Sequence, residues 1–186
     1  IKEVATAYQE GQVAIYESLL EEFQTDLEVW DAHVDPESLS FEFQSPEVLF
    51  STGEIALKER FQEILNDFFP RYLEVLRDHR EVINEVRIEG HTSSIWNSKT
   101  TPDEAYFKNM WLSQGRTRSV LNYVYSNPNI ASDKDWVKRN VAAVGFSSSR
   151  PVTLANGREN EARSRRVTFR VITDVDIKMR TILEKV

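Results

Sequence analysis

Along the first thirty residues the apolar positions Tyr8, Ile15, Leu19, Phe23, Leu27 and Trp30 recur at steps of seven, four, four, four and three, with Gln and Glu between them. Such steps place side chains on one face of a helix, so the segment predicts one long amphipathic helix. Its stripe packs either on the domain behind it or on a copy of itself. Asp35-Pro36-Glu37-Ser38 then breaks the helix, because proline lacks the backbone donor and restrains the residue before it. Leu39, Phe41 and Phe43 alternate with Ser40 and Glu42, the period of a half-buried strand. Ser45-Pro46 and Ser51-Thr52-Gly53 bracket a loop around Val48-Leu49-Phe50. Leu57, Phe61, Leu65, Phe68, Tyr72 and Leu76 follow at steps of four, four, three, four and four, a second amphipathic helix kinked at Pro70.

Val86-Arg87-Ile88-Glu89 alternates again and runs into the polar Gly90-His91-Thr92. Pro102-Asp103-Glu104 reads as a helix start with acid in its first turn, and the pattern continues to Asn127-Pro128 with Leu112, Val120, Tyr123 and Val124 on the buried face. Val141 to Val144 is a short apolar strand, and the stretch from Ser147 to Asn160, rich in Ser, Asn, Gly and Pro, is loop. Val167, Phe169 and Val171 alternate as a last strand, and Ile177 to Leu183 forms a terminal helix. Strand-helix-strand units of this length bury a sheet against a helical layer. The expected class is α/β, a two-layer sandwich over residues 35–186, with a helical extension over 1–34.

Composition narrows the function. At 186 residues, 40% hydrophobic and 28% charged, the chain is globular and fits one domain with an appendage, against a prior of about 150 residues per domain. Twenty-three basic and 30 acidic residues leave a net charge of −7, which disfavours a generic nucleic-acid binder. The absence of cysteine excludes disulfides, zinc-thiolate sites and cysteine nucleophiles. His33, His79 and His91 have no metal-ligand spacing, so no metal or cofactor is expected. No apolar run approaches the length of a membrane helix, and no signal-peptide pattern opens the chain. Because it begins at Ile1 without an initiator Met and already in helical rhythm, the chain reads as a piece of a longer protein.

Three runs carry the chemistry: Val86-Arg87-Ile88-Glu89-Gly90-His91-Thr92, Asn109-Met110-Trp111-Leu112-Ser113-Gln114-Gly115-Arg116, and Ser119 to Val124. Together they resemble the OmpA-like peptidoglycan-binding domain, in which a strand ends in Gly-His/Tyr-Thr-Asp. A helix then carries Asn, two residues, Leu-Ser, two residues and Arg, with Val and Tyr beyond. Asn109, Leu112, Ser113, Arg116, Val120 and Tyr123 fall at those offsets. Val144-Gly145-Phe146 with Ser148 and Pro151 resembles the family's turn before a proline, and Asn160 to Val167 its Gly-Arg-x-x-Asn-Arg-Arg-Val signature. Leu49-Phe50, Gly53 and Leu57 resemble its passage from first strand to first helix. The likeness spans residues 39–172 and implies a mixed sheet of β-α-β-α-β-β order.

The resemblance implies a peptidoglycan ligand held by Arg116, Asn109, Leu112, Thr92, Ser93, Ser94 and Arg165. A planar guanidinium that stays charged suits a stem-peptide carboxylate. Arg116 is expected in the first third of its helix, where free N–H groups add positive potential. The competing role for Arg116 is a surface ion pair with Asp103 or Glu104. Ser93 stands where the family has the aspartate that pairs with the ammonium of diaminopimelate, so Asp103 or Glu104 is a candidate replacement. Ser164 stands where the family has asparagine, which leaves Arg165 and Arg166 at the ligand or bracing the sheet edge. His91 is expected to be a structural, hydrogen-bonded histidine and Trp111 a core residue; Tyr106 and Phe107 wall the pocket or join the core.

The long approach helix most resembles the MotB type, in which an upstream transmembrane helix serves an ion-driven stator and motor-like defence complexes share the layout. The expected function is a noncovalent, periplasmic cell-wall anchor without enzymatic activity. A dimerisation module working through the first helix is an alternative. A serine hydrolase using Ser93 or Ser94 with His91 is the other, and it lacks a Gly-x-Ser-x-Gly elbow.

Overall fold

The computed structural model describes residues 1–44 and 46–185, with the backbone alone at Tyr8 and Pro46. The Tyr8 side chain and the Ser45-Pro46 turn expected from the sequence therefore lie outside the described residues. Seven helices are described: α1 (Lys2–Phe23), α2 (Pro46–Leu49), α3 (Glu59–Arg77), α4 (Pro102–Tyr125), α5 (Lys134–Asn140), α6 (Glu161–Ser164) and α7 (Asp174–Leu183). The strands are β1 (Ala32–Asp35), β2 (Ser40–Phe43), β3 (Ile83–His91), β4 (Val141–Gly145) and β5 (Arg166–Thr173). They form one mixed sheet in the order β1-β2-β5-β3-β4, with β3 and β4 parallel and the other pairs antiparallel.

The core follows from the patterns that predicted it. Along α3 the apolar stripe from Phe61 to Leu76 is buried, and Phe68 lies 4.6 Å from Phe41, 5.1 Å from Phe43 and 5.0 Å from Phe169, ring centre to ring centre. Tilted and edge-on contacts at these distances suit aromatic quadrupoles and add to the hydrophobic gain. Pro70 sits inside α3, which continues through it to Arg77.

Helix α1 joins the same core. Ile15, Leu19 and Phe23 are fully buried, and Phe23 lies 5.3 Å from Phe68. Arg71 of α3 fixes the crossing by donating to Glu22 at 2.8 Å, Asp26 at 2.8 Å and Asp67 at 3.0 Å. The stripe from Ile15 to Phe23 is thus occupied within the molecule.

Details depart from the sequence reading, beginning with α2, which stands where a loop was read around Val48-Leu49-Phe50. The first helix stops at Phe23, and Trp30 reaches the core from the turns that follow. Strand β1 was not foreseen, since Val34 is its one buried residue and no alternation marks it. A 3-10 turn over Pro128–Asp133 and α5 precede β4, where no element was read.

Close packing sets α4 against the C-terminal ends of β3 and β4. A Cβ on Gly145 would lie 2.5 Å from the backbone nitrogen of Gln114, and one on Gly90 would lie 2.8 Å from the carbonyl oxygen of Ser113. Only glycine allows these approaches. Thr101 and Glu104 close a reciprocal cap at the helix start, each side chain accepting the other's backbone N–H at 3.2 Å.

Candidate functional site

Where α4 passes the end of β3, a cavity of about 360 Å³ opens between four segments. Glu47, Phe50, Thr52 and Gly53 come from α2 and the turn after it. Thr92, Ser93, Ile95 and Trp96 come from the loop beyond β3. Helix α4 supplies Asn109, Leu112 and Arg116, and Glu161 and Arg165 close the far side. Asn109, Leu112 and Arg116 share a face because steps of three and four align on a helix.

Arg116 is clamped from below. Its Nε donates to the carbonyl of Glu54 at 2.8 Å and its Nη2 to that of Ser51 at 3.1 Å, and the guanidinium lies 4.6 Å above the Phe50 ring. Gly53, at φ +73°, supplies the left-handed residue that turns the chain between those carbonyls. Both acceptors are neutral, and among the described residues no carboxylate lies within ion-pair distance of Arg116. Burial, and then the charge of Arg165, bring its pKa down to about 10. A guanidinium held this way lacks an anion, and among the described residues its Nη1 has no hydrogen-bond partner.

Asn109 is almost fully buried and works on the backbone. Its Nδ2 donates to the carbonyls of Ser93 at 3.2 Å and Ile95 at 3.3 Å, which fixes the loop on the cavity wall. The Thr92 hydroxyl also donates to the Ser93 carbonyl, at 2.8 Å.

The OmpA family profile matches residues 49–165, the span that carries most of this cavity. The chain belongs to the OmpA family. It is 54% identical over 185 residues to the Zorya protein ZorB of Escherichia coli, spanning all of this chain and 79% of that protein. A MotB-like protein from Desulfovibrio vulgaris shares the fold at a TM-score of 0.60 and 22% identity, over 87% of this chain and 91% of its own. The cell wall anchor of the T6SS from Pseudomonas aeruginosa does so at 0.55 and 22%, over 84% and 97%.

In this OmpA-family chain Arg116, Asn109, Leu112, Thr92, Ser93 and Arg165 all meet at the cavity. Ser94 does not: it is exposed and turned to Glu159, which accepts its N–H at 2.9 Å and its hydroxyl at 2.5 Å. Arg116 is the fifteenth residue of the 24 in α4, not in its first third, so the free N–H groups of the first turn lie too far along the axis to assist it. Asp103 and Glu104 are absent from the lining. The Glu104 carboxylate caps its own helix, and neither residue pairs with Arg116.

Arg166 braces the loop, donating to the carbonyls of Ser164 at 2.8 Å and Arg150 at 3.2 Å. His91 is buried, stacks on Phe146 at 5.2 Å and lies 3.5 Å from Glu89, the structural role expected. Burial pushes its pKa down. Burial also opposes ionisation of Glu89, but His91, Thr168 and Arg170 outweigh it and hold Glu89 below the usual carboxylate range.

Trp111 and Phe107 leave the core: they are 61% and 68% exposed. Both sit on a face of α4 away from the sheet, and helical periodicity reports that residues share a face without saying what covers it. The sequence reading missed Glu47 and Glu161 at the cavity, along with Trp96. Glu161 lies within the Asn160 to Val167 run and was within reach of it; Glu47 carried no motif.

Proposed function

We propose that this chain binds peptidoglycan noncovalently through the cavity at Arg116 and holds a larger envelope protein to the cell wall. The observation that carries the reading is a guanidinium held by two carbonyls and an aromatic ring, in an open cavity, with no carboxylate of the described residues within ion-pair distance. A stem-peptide carboxylate supplies that anion and accepts from the Nη1 side of the planar guanidinium. Arg165, on the cavity rim, adds a second positive charge.

Diaminopimelate is the proposed ligand residue. It presents an ammonium beside a carboxylate, and the cavity has both signs of charge: Glu47 and Glu161 line it and have no ion pair among the described residues. They take the place proposed from the sequence for Asp103 or Glu104, while the Ser93 hydroxyl offers a neutral acceptor. The activity is binding without turnover. His91 serves Glu89 and Ser94 serves Glu159, so these two do not form a nucleophile and base.

The parent assembly is proposed from likeness to ZorB and to MotB-like proteins: a periplasmic stator component, of a motor or a defence complex, tethered by a membrane helix upstream. Among the described residues no helix is long and apolar enough to cross a membrane.

Co-sedimentation with purified peptidoglycan tests the reading. Arg116→Ala is expected to weaken binding by about tenfold or more, since a hydrogen bond to a charged group contributes roughly 1.5–3 kcal/mol. Arg116→Lys keeps the charge but loses the fork, and is expected to fall between. Thermal unfolding of both variants separates a lost site from a lost fold. Unchanged binding by a folded Arg116→Ala protein overturns the proposal.

A further inference from the structure

Beside the Arg116 cavity lies a second, of about 340 Å³, and Glu47 and Arg165 line both. Its other walls come from Asp31, His33 and Gln44 at the open end of the β1-β2 pair, and from Arg163 of α6. The Gln44 N–H donates to the Asp31 carbonyl at 3.1 Å, which closes that end of the ladder. The OmpA profile starts at residue 49, so the second cavity joins the family's segment to one that precedes it.

Local chain geometry delivers two guanidiniums to this cavity. Ser164 is fully buried, its hydroxyl accepting the Val152 N–H at 2.9 Å, and Arg166 turns to the carbonyls of Ser164 and Arg150. Their alternate neighbours Arg163 and Arg165 are exposed, and neither has an ion pair among the described residues. His33 is already partnered, 2.7 Å from Glu42. The Nε2 of Gln44 is buried with no hydrogen-bond partner among the described residues, an uncommon state for an amide donor.

Charge alone does not draw a bare inorganic anion here, because Asp31 and Glu47 stand against the two arginines. An acidic residue within a peptide suits both signs, its carboxylate going to guanidinium and its amide N–H groups to carboxylate. In a peptidoglycan stem the residue before diaminopimelate is a glutamate joined through its side-chain carboxyl, which leaves its α-carboxylate free. Given the peptidoglycan binding proposed for the Arg116 cavity, we propose that the second cavity takes this α-carboxylate, held by Arg163 and Arg165 with the Gln44 amide as a neutral donor. Glu47 and Arg165, common to both walls, then lie between the two stem residues. The second cavity tells a stem glutamate from its α-amide, a distinction the Arg116 cavity does not make.

Calorimetric titration of the full chain with two synthetic tripeptides tests this: alanyl-γ-glutamyl-diaminopimelate, and the same peptide with the glutamate α-carboxylate converted to the amide. The acid is expected to bind about fivefold tighter, as one ion pair at an exposed guanidinium allows. Arg163→Gln, at an exposed position, is expected to bring the acid down to the affinity of the amide, with the amide's affinity and the unfolding temperature unchanged. Arg116→Ala is expected to lose both peptides. Equal affinities of the two peptides for the unmodified chain overturn the second cavity's role and leave the Arg116 site standing. An Arg163→Gln protein that keeps the preference, or that binds both peptides equally more weakly, does the same. Failure of both peptides to bind the unmodified chain overturns the peptidoglycan reading and the second cavity's role together.

Discussion

Asn109 holds the loop on the cavity wall, and that makes it a sharper probe of the site than its position suggests. Asn109→Ala leaves the Ile95 carbonyl without its donor and the Ser93 carbonyl with Thr92 alone. A loss of about 1–3 kcal/mol in urea unfolding is expected. Peptidoglycan binding weakens with it, because the cavity wall at Ser93 to Trp96 loosens. The two histidines of the sheet respond to pH in opposite directions. Burial lowers the pKa of His91, while the hydrogen bond to Glu42 raises that of His33 against its partial burial. Below the ordinary value near 6.5 the unfolded chain binds a proton that buried His91 refuses, so its contribution to stability falls as pH drops from 6.5 through its folded pKa. The contribution of His33 is complete below 6.5 and is lost as pH rises through its folded pKa. Side-chain NMR titration is expected to place His91 below 6.5 and His33 above it; His91 titrating above 6.5 contradicts the buried, neutral ring.

At the scale of elements, α1 separates a structural helix from a free linker. Phe23→Ala is expected to cost roughly 3–5 kcal/mol, as removal of a buried aromatic ring does, read from the denaturant midpoint. A linker helix outside the core gives no change. The elements legible in the sequence were those with long periodicity, α3 and α4, and those with clean alternation, β2, β3 and β5. What stayed hidden was short or lacked a period: β1 contributes four residues and pairs through its backbone with β2, and α5 buries Val137 and packs Trp136 against the core. Asn109, Leu112 and Arg116 were legible as a site because one helix turn spaces them. Glu47 and Glu161, more than a hundred residues apart, meet there only through tertiary packing, which no local pattern reports.

For the whole molecule, a net charge of −7 disfavours nucleic acid but does not prevent recognition of an acidic ligand. The relevant field is local, and in the cavity Arg116 and Arg165 stand beside Glu47 and Glu161, so an acid meets cations at short range, where screening by salt is weakest. The ordered motifs from residue 39 to 172 made the family legible before the fold was, and the sandwich follows from the same segments. Calorimetric titration of the full chain with a diaminopimelate-containing stem tripeptide tests the central claim most directly. Saturable binding at one site per chain, lost in Arg116→Ala while that variant's unfolding temperature shows a folded protein, is the expected result. Equal affinity in the two proteins, or no binding by the unmodified chain, contradicts it.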